Sequence, residues 1–220
     1  MTLPLSDIRV VDFSQGFAGP CGTMFLGDQG AEVIKIETPE SASSRGDASN
    51  LVYLSFNRNK RSIVLDIAQP KGRELFDNLL RWADVFVINM RVGPRQRKSL
   101  TYDDLAAINP RLIYASLTAY GEAGPEADLP GIDIVTQSRV GDTAGRMAPG
   151  GPPPAYSFLC HFDMATSMLI FGSVMLALRE RDRTGRGQKI EVNLVKRGCL
   201  SPPQMHFLCD KASEHFAYFK

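Results

Sequence analysis

One aspartate stands at the start of the strongest helical pattern in this 220-residue chain. Asp163 follows Phe162 and opens an apolar run that continues to about Arg183. Unpaired backbone N–H groups and the positive end of the helix dipole lie at a helix N-terminus, and both favour the ionised form of a carboxylate there. The local sequence leaves two roles open for Asp163, a chemical one and simple capping of the helix. His161 has no evident partners for a catalytic triad, which favours a structural role for it.

Two basic clusters could bind an anionic ligand, one within residues 57–61 and one within residues 91–98. Guanidinium and ammonium groups give charge-assisted hydrogen bonds to phosphate, so the two clusters together would suit a polyphosphorylated ligand. Each cluster alone is better explained as a solvated face, because Lys and Arg are mostly exposed. In a parallel sheet the clusters would start at opposite edges, and only a loop that folds back would unite them. Their cations are Arg58, Lys60 and Arg61 in the first, and Arg91, Arg95, Arg97 and Lys98 in the second.

Small residues at positions 14–20 follow the first predicted strand and lead towards a helix, whose N-terminus could offer N–H groups to an anion. The segment matches neither a GxGxxG nor a Walker pattern. Without the wider context, a tightly packed turn explains it better than a binding loop.

The composition argues against several classes of protein. Lys and Arg total 25 against 24 Asp and Glu, so no global field draws the chain to nucleic acid or an anionic membrane. The four cysteines are widely spaced with no CxxC pair, which predicts reduced thiols and no metal site. Residues 1–12 lack a signal-peptide pattern, and the longest apolar stretch, residues 164–178, is shorter than the roughly 20 residues that a bilayer requires. We expect a soluble, cytoplasmic protein.

Alternating strands and helices must position these side chains. Near-continuous apolar runs, typical of strands covered on both faces, predict strands at residues 8–13, 33–37, 62–66, 85–89, 112–117 and 188–194. Their alternation with helical segments predicts βαβ units, an α/β fold and a mainly parallel sheet. Open sheets of this kind bind ligands beyond the carboxyl ends of their strands, so residues after the first, fourth and fifth strands are the first candidates.

The helical pattern begins near Thr23 in the first helix, and Pro70 opens another in which Leu75, Leu79 and Trp82 recur at helical spacing. A short helix is predicted at 102–108, and a long one at 162–183 that is apolar nearly all round and is therefore expected to be largely buried. The polar segment 39–50 is predicted to be a surface loop. We expect one domain over residues 1–195 and a linker or tail over 196–220.

Taken in order, these segments resemble the class III CoA-transferase family, which includes formyl-CoA transferase and carnitine CoA-transferase. The matching motifs are residues 8–13 with 18–20, 30–37, 57–62, 83–85 with 89–91, 109–114, 121–125, 130–133 and 180–188. So many motifs in one order make the resemblance specific, and it runs along most of the chain. It implies a Rossmann-like open sheet with flanking helices, the large domain of such an enzyme without its C-terminal part.

The resemblance also implies a reaction, the transfer of CoA from an acyl-CoA to a free carboxylic acid without a metal. Asp163 matches the family's nucleophile, which attacks the thioester carbonyl to give a mixed anhydride that the CoA thiolate then attacks. Coenzyme A, as the acyl-CoA substrate, would lie along Gly16, Phe17, Ala18, Thr38, Leu65, Asp66, Ile67, Ala68, Asn89, Met90, Arg91, Arg97, Pro130, Gly131, Ile132 and Asp133.

The chain departs from its relatives in three respects. Thr38 stands where many of them carry arginine, and Arg45 or Arg58 are candidates to replace that contact. Ile132 stands where the family's racemase branch has a histidine, and it offers no proton, which disfavours a 2-methylacyl-CoA racemase. Family members are about twice as long and form interlocked dimers, so we expect a homodimer at full length or a complementary C-terminal chain. A truncated, non-catalytic CoA-binding module is the alternative.

Overall fold

Six parallel strands form one open sheet in the computed structural model, which describes residues 2–43, 51–147, 151–152 and 160–199. The strands are β1 (Arg9–Phe13), β2 (Glu32–Glu37), β3 (Lys60–Val64), β4 (Val85–Ile88), β5 (Ile113–Thr118) and β6 (Gln188–Asn193). They lie side by side in the order β3-β2-β1-β4-β5-β6, and every neighbouring pair is parallel. The predicted α/β class and Rossmann-like open sheet are therefore confirmed.

Helices cover both faces of this sheet. In the described residues they are α1 (Ala18–Asp28), α2 (Pro39–Ser43), α3 (Leu51–Phe56), α4 (Pro70–Trp82), α5 (Val92–Arg97), α6 (Tyr102–Ile108), α7 (Asp133–Arg139), α8 (Asp142–Gly145), α9 (His161–Thr184) and α10 (Leu194–Cys199). The bounds predicted for the strands and for α4, α6 and α9 agree with these to within two residues. A capping box between Thr101 and Asp104 fixes the start of α6.

The strand order reverses beside β1. The chain builds β1, β2 and β3 outwards in one direction and then returns to place β4 against the other side of β1. Loops from adjacent strands diverge at such a switch point and leave a crevice outside the carboxyl ends of the strands. The fold therefore places its crevice beyond β1 and β4.

Successive strand residues belong to opposite hydrophobic layers, as the period of a strand requires. Val10 of β1 lies in the layer covered by α1 and α9, whereas Val11 lies in the layer covered by α4 and α6. Val87 and Phe86 of β4 divide in the same way. All four are fully buried, and burial of each contributes about 1.5 to 3 kcal/mol. The apolar runs read from the sequence thus become the middle of a three-layer structure.

Helix α1 begins five residues before the predicted start, at Ala18 instead of Thr23. Its first turn contains Pro20, which is tolerated there because the N–H that proline lacks has no partner within the helix anyway. Gly22 allows the close contact with α9, since a Cβ at this position would meet the side chain of Ile170 at 3.1 Å. This glycine therefore serves the packing of α1 against α9.

The predicted surface loop over residues 39–50 is wrong in its first part, because Pro39–Ser43 is the helix α2; residues 44–50 lie outside the described part. Helix α3 was not predicted. In α4 the predicted apolar positions are shifted by one residue: Leu75 is 51% exposed, and the fully buried side chains are Phe76 and Leu80.

Helix α9 is not largely buried, contrary to the prediction. One side, with Phe162, Ile170 and Val174, lies against α1 and the sheet, whereas Met168 and Leu176 on the other side are 52% and 74% exposed. The helix ends at Gly185, whose φ of 72° is left-handed and suits glycine. By length and composition α9 could cross a membrane, a property that it shares with core helices of soluble proteins.

Helix α10 spans the predicted domain boundary between residues 195 and 196. Residues 200–220, most of the predicted tail, lie outside the described part of the chain. The division into a domain and a tail therefore stays a prediction.

Candidate active site

A cavity of about 480 Å³ opens at the carboxyl ends of β1, β4 and β5, beside the switch point. Open sheets bind small molecules at this place. Its walls come from the loop after β1, the end of α3, the segment after β4, the end of β5, the segment before α7, and the starts of α9 and α10. The lining residues are Gln15, Gly16, Phe17, Ala18, Ser55, Phe56, Asn89, Arg91, Leu117, Thr118, Ala119, Leu129, Gly131, Ile132, Asp133, Ile134, Cys160, Asp163 and Leu194.

Asp163 lies in the first turn of α9, and its half-buried side chain faces this cavity. The N-cap of α9 is Cys160, whose backbone is left-handed, and no side chain caps the helix from that position. Among the described residues, the structure records no hydrogen bond or ion pair to the Asp163 carboxylate. Simple helix capping therefore does not account for Asp163, and its carboxylate is accessible to a ligand in the cavity.

The surroundings of Asp163 disfavour its ionised form, contrary to the expectation from the helix N-terminus. Burial and the negative charge of Asp133 raise the pKa of the Asp163 carboxyl to about 7. The N–H group of Asp163 donates to Oδ2 of Asp133 at 2.7 Å, so this donor stabilises the neighbouring carboxylate and not its own side chain.

The loop after β1 is held open over the cavity by a residue that follows β4. Asn89 accepts a hydrogen bond from the backbone N–H of Gln15 at 2.9 Å and donates one to the carbonyl of the same residue at 2.6 Å. Gly16 follows with a left-handed φ of 74° and open space around its α carbon. The ring of Phe17 contacts the ring of Phe56 with centroids 3.9 Å apart. Two aromatic rings thus line one wall of the cavity.

The segment before α7 forms another wall and lies very close to β5. A Cβ at Gly131 would stand only 2.4 Å from the Cβ of Ala119, so no larger residue fits here without movement. Asp128 ties the same segment to α5, since its Oδ1 accepts from the N–H of Gly93 at 2.8 Å and its carbonyl accepts from Arg91 at 2.9 Å. Residues 128–133 are therefore anchored on both sides of the cavity.

A family model described as CoA-transferase family III matches residues 5–212. The chain belongs to this family. Succinyl-CoA:glutarate CoA-transferase of Mus musculus is 36% identical in an alignment of 217 positions, which covers 93% of this chain and 49% of that protein. The beta subunit of succinyl-CoA–L-malate CoA-transferase from Chloroflexus aurantiacus is 37% identical in an alignment of 204 positions, which covers 89% of this chain and 50% of that one. The chain thus spans about half the length of these relatives.

A solved structure agrees with the family assignment. The orthorhombic crystal form of Rv3272 from Mycobacterium tuberculosis superposes with a TM-score of 0.87 at 34% sequence identity. The match covers 96% of this chain and 60% of that one. The described fold is therefore that of the corresponding part of a larger CoA-transferase family III protein.

Half of the residues that the family resemblance implies for CoA line the cavity. They come from three separate segments of the chain, and the parallel sheet brings them together. These residues are Gly16, Phe17, Ala18, Asn89, Arg91, Gly131, Ile132 and Asp133. Their contact with CoA stays a prediction.

The other half do not line this cavity. Thr38 directly follows β2, Leu65, Asp66, Ile67 and Ala68 follow β3, Met90 follows β4, Arg97 ends α5, and Pro130 precedes Gly131. The strand-end residues among them lie at the same edge of the sheet as the cavity, because all the strands run in one direction. Thr38 and Asp66 also make local hydrogen bonds, to the backbone of Ser41 and of Ala68. Of the candidates to replace arginine at position 38, Arg45 lies outside the described residues and Arg58 pairs with Asp28 on the surface.

The first basic cluster is not a phosphate site. The Lys60 side chain is buried, and its Nζ bonds Asp12 at 2.9 Å and the carbonyl of Pro20 at 2.7 Å. Although burial raises the pKa of Asp12, the ammonium groups of Lys35 and Lys60 lower it well below its ordinary range. Lys60 therefore neutralises the buried carboxylate of Asp12 in β1, and Arg61 pairs with Glu32 on the surface.

The second basic cluster contains one buried residue and three exposed ones. Arg95 is buried and bonds Glu122 at 2.5 Å and Tyr114 at 3.2 Å, which fixes α5 to β5. Arg91, Arg97 and Lys98 are exposed at the edge that holds the cavity, whereas the first cluster starts at the opposite edge of the sheet. The two clusters do not form one site.

Several lining residues were not predicted. Gln15 immediately precedes Gly16 in the strand-end loop, so the position of that loop could have indicated it. Phe56, Leu129, Ile134 and Leu194 come from elements whose approach to the cavity no local pattern reveals. They make the cavity largely apolar around Asp163.

A smaller cavity of about 180 Å³ adjoins the first and shares Gln15 and Gly16 with it. It is polar, with Lys35, Glu37 and Tyr53 among its lining residues. In the described ranges, no three His, Cys, Asp or Glu side chains are grouped as metal ligands would be. A metal-free site stays a prediction.

Proposed function

We propose that this chain carries the nucleophile of an enzyme that transfers CoA from an acyl-CoA to a free carboxylic acid, with Asp163 as the attacking carboxylate. One observation carries the proposal: a carboxylate without a partner in the described residues faces a cavity at the switch point of a CoA-transferase family III fold. An acyl-CoA thioester is held in this cavity next to Asp163. Of the two carboxylates that line the cavity, Asp133 accepts hydrogen bonds with both oxygens, whereas Asp163 has no recorded partner among the described residues.

The reaction proceeds through covalent intermediates on Asp163. A carboxylate oxygen attacks the thioester carbonyl carbon, the carbon–sulfur bond breaks, and CoA leaves as a thiolate while a mixed anhydride forms. The thiolate then attacks the aspartyl carbonyl, which releases the donor acid and leaves an aspartyl thioester. The acceptor carboxylate attacks this thioester to give a second anhydride, and CoA thiolate takes the acceptor acyl group from it and restores Asp163. No electron transfer is involved.

The polarity of the cavity suits these steps. Apolar side chains such as Leu117, Ile134 and Leu194 exclude water from an anhydride that water would hydrolyse. The raised pKa of Asp163 makes its carboxylate a stronger nucleophile once ionised, and near neutral pH a substantial fraction is ionised.

Hydroxylamine trapping tests the proposal. Succinyl-CoA, named for two relatives, serves as the probe donor, and hydroxylamine should convert the activated Asp163 to a hydroxamate that peptide mass spectrometry detects. Asp163→Asn should give no adduct while calorimetry shows CoA affinity within about threefold of wild type, because the change removes the nucleophile and little binding surface. Asp103→Asn, which alters an exposed carboxylate in α6, is the matched control and should react like wild type.

The proposal is wrong if the wild-type chain binds CoA and yields no adduct, or if the adduct persists in Asp163→Asn. Binding without an adduct would support the second candidate, a CoA-binding module without turnover. A 2-methylacyl-CoA racemase would exchange the α proton with deuterated solvent. Ile132 disfavours it, since this cavity-lining side chain cannot transfer a proton.

We further propose that the complete protein acts in the cytoplasm, either as a homodimer or with a complementary C-terminal chain. The name of the Chloroflexus relative, a beta subunit, supports a multichain assembly. Light scattering of the expressed protein, alone and with a separately expressed C-terminal half, measures the assembly directly.

A further inference from the structure

Helices α7 and α8 hold the first turn of α9 at two points. Oδ2 of Asp133, the first residue of α7, accepts the N–H of Asp163 at 2.7 Å. Oδ2 of Asp142 in α8 lies 3.4 Å from Nε2 of His161, the first residue of α9. The turn that carries the proposed nucleophile is therefore held at residues 161 and 163 by carboxylates from α7 and α8.

A chain of side chains connects these two contacts. Nε2 of Gln137 donates to Oδ1 of Asp133, and Oε1 of Gln137 accepts from Arg146 at 2.7 Å. Arg146 in turn lies 2.8 Å from Oδ2 of Asp142. The links run from the backbone at position 163 through four side chains to His161, which closes a ring around the start of α9.

Asp133 is poorly suited to bind CoA, although it lines the cavity. The residue is only 3% exposed, and both carboxylate oxygens already accept hydrogen bonds. Burial leaves the remaining lone pairs of this carboxylate poorly accessible to a further ligand, and its negative charge repels phosphate. The position of Asp133 is explained by its hydrogen bond to the backbone of Asp163.

We propose that Asp133 is a positioning residue for Asp163 and not a CoA ligand, holding the backbone of the nucleophile and placing a fixed negative charge beside it. This inference rests on the proposed function. When Asp163 attacks an acyl-CoA it becomes a neutral acyl derivative, so the repulsion between the two carboxylates is relieved as the adduct forms. Asp133 thus favours the covalent intermediate over the free carboxylate.

Asp133 supplies the nearest fixed charge, but other groups also face Asp163. On α1, burial raises the pKa of the Cys21 thiol, which keeps that group neutral at working pH. Within the described ranges, the other titratable or charged groups that face it or share its turn are Arg91 across the cavity, Cys160 before α9, and His161 paired with Asp142.

Two substitutions separate the two roles of Asp133. Asp133→Asn keeps an oxygen that can accept the N–H of Asp163 but removes the charge. In wild type the rate of adduct formation should rise with pH around pH 7, as Asp163 ionises; this rise is the acid limb of the pH profile. In Asp133→Asn the acid limb should lie lower by about one pH unit or more. Asp133→Ala removes the acceptor as well, and the rate at high pH should fall by about tenfold to a hundredfold because the turn is released. Asp104→Asn, which alters a similar capping carboxylate in α6, should leave the acid limb in place.

Two NMR measurements keep the inference separate from the proposed function. The carboxyl carbon of Asp163 should titrate near pH 7 in wild type and lower in Asp133→Asn. The Asp163 amide proton should exchange about tenfold faster or more in Asp133→Ala than in the other two proteins, because its acceptor is gone. If wild type binds CoA without forming an adduct, the proposed function fails and these two signals alone decide whether Asp133 positions the turn. If adduct formation is normal and neither the acid limb nor the amide exchange changes, the role assigned to Asp133 is wrong.

Discussion

Replacing Asp163 with asparagine should stabilise the folded chain, and increasingly so as the pH rises. The pKa of this carboxyl is about 7 in the folded chain against an ordinary value of 3.8, so folding disfavours its ionised form. Between these two values the unfolded chain has released the proton while the folded chain retains it, and wild-type stability therefore falls as pH rises through this window. Asparagine carries no charge at any pH and escapes this loss.

The size of the effect follows from the shift. The difference between 3.8 and about 7 is about three pKa units, and about 1.4 kcal/mol for each unit gives a gain of roughly 4 kcal/mol at pH 8. Because Asp163 is only half-buried and faces an open cavity, water screens part of this energy, and we expect about 2 to 4 kcal/mol. Near pH 5.5 about half of the gain should remain, and below pH 4 almost none.

Urea unfolding of wild type and Asp163→Asn at a series of pH values between 4 and 8 measures this gain as the difference in free energy of unfolding. Asp103→Asn is the control, since its exposed carboxylate should give no comparable trend. The reasoning is refuted if Asp163→Asn is less stable than wild type at pH 8, or if the difference between them is the same at every pH.

Two further substitutions test parts of the site that the sequence did not explain. Lys60→Met should lower the free energy of unfolding by about 3 kcal/mol, because Asp12 is fully buried and would lose one of its two ammonium partners, Lys60 and Lys35. The same variant should leave the affinity of the folded chain for CoA unchanged by calorimetry, and a large loss of affinity would restore the phosphate-binding interpretation. Gly131→Ala should destabilise the chain by about 1 to 3 kcal/mol in thermal unfolding and weaken CoA binding, because the added Cβ would overlap that of Ala119. An unchanged melting temperature would show that the segment moves aside freely.

The sheet could be predicted because its signal is local and strong. A run such as residues 85–88 is apolar at every position, which is typical of a strand covered on both faces. Helices α3, α7 and α8 were not predicted. Each has seven residues or fewer and shows no clear period, although α6 was predicted at the same length as α7. The exposed side of α9 was missed because an apolar sequence cannot tell which side of a helix has a neighbour.

The site could be predicted only in part, for a related reason. Asp163 and the strand-end loops were indicated by their positions and by the family resemblance. The burial of Lys60 was not indicated, because Lys60 and Arg61 are adjacent in sequence, yet one side chain points inward and the other outward from an edge strand. The contact of Asp133 with Asp163 joins residues 30 positions apart, and no local pattern reports such a contact.

The double hydrogen bond between Asn89 and Gln15 has a consequence for the thermodynamics of ligand entry. It joins two loops that are 74 residues apart in the chain, and both of its hydrogen bonds lie within the protein. Ordering these two loops is therefore part of folding, so an arriving thioester loses only its own freedom of motion and that of a few side chains. Association at this end of the crevice should accordingly show a small conformational entropy penalty for the protein.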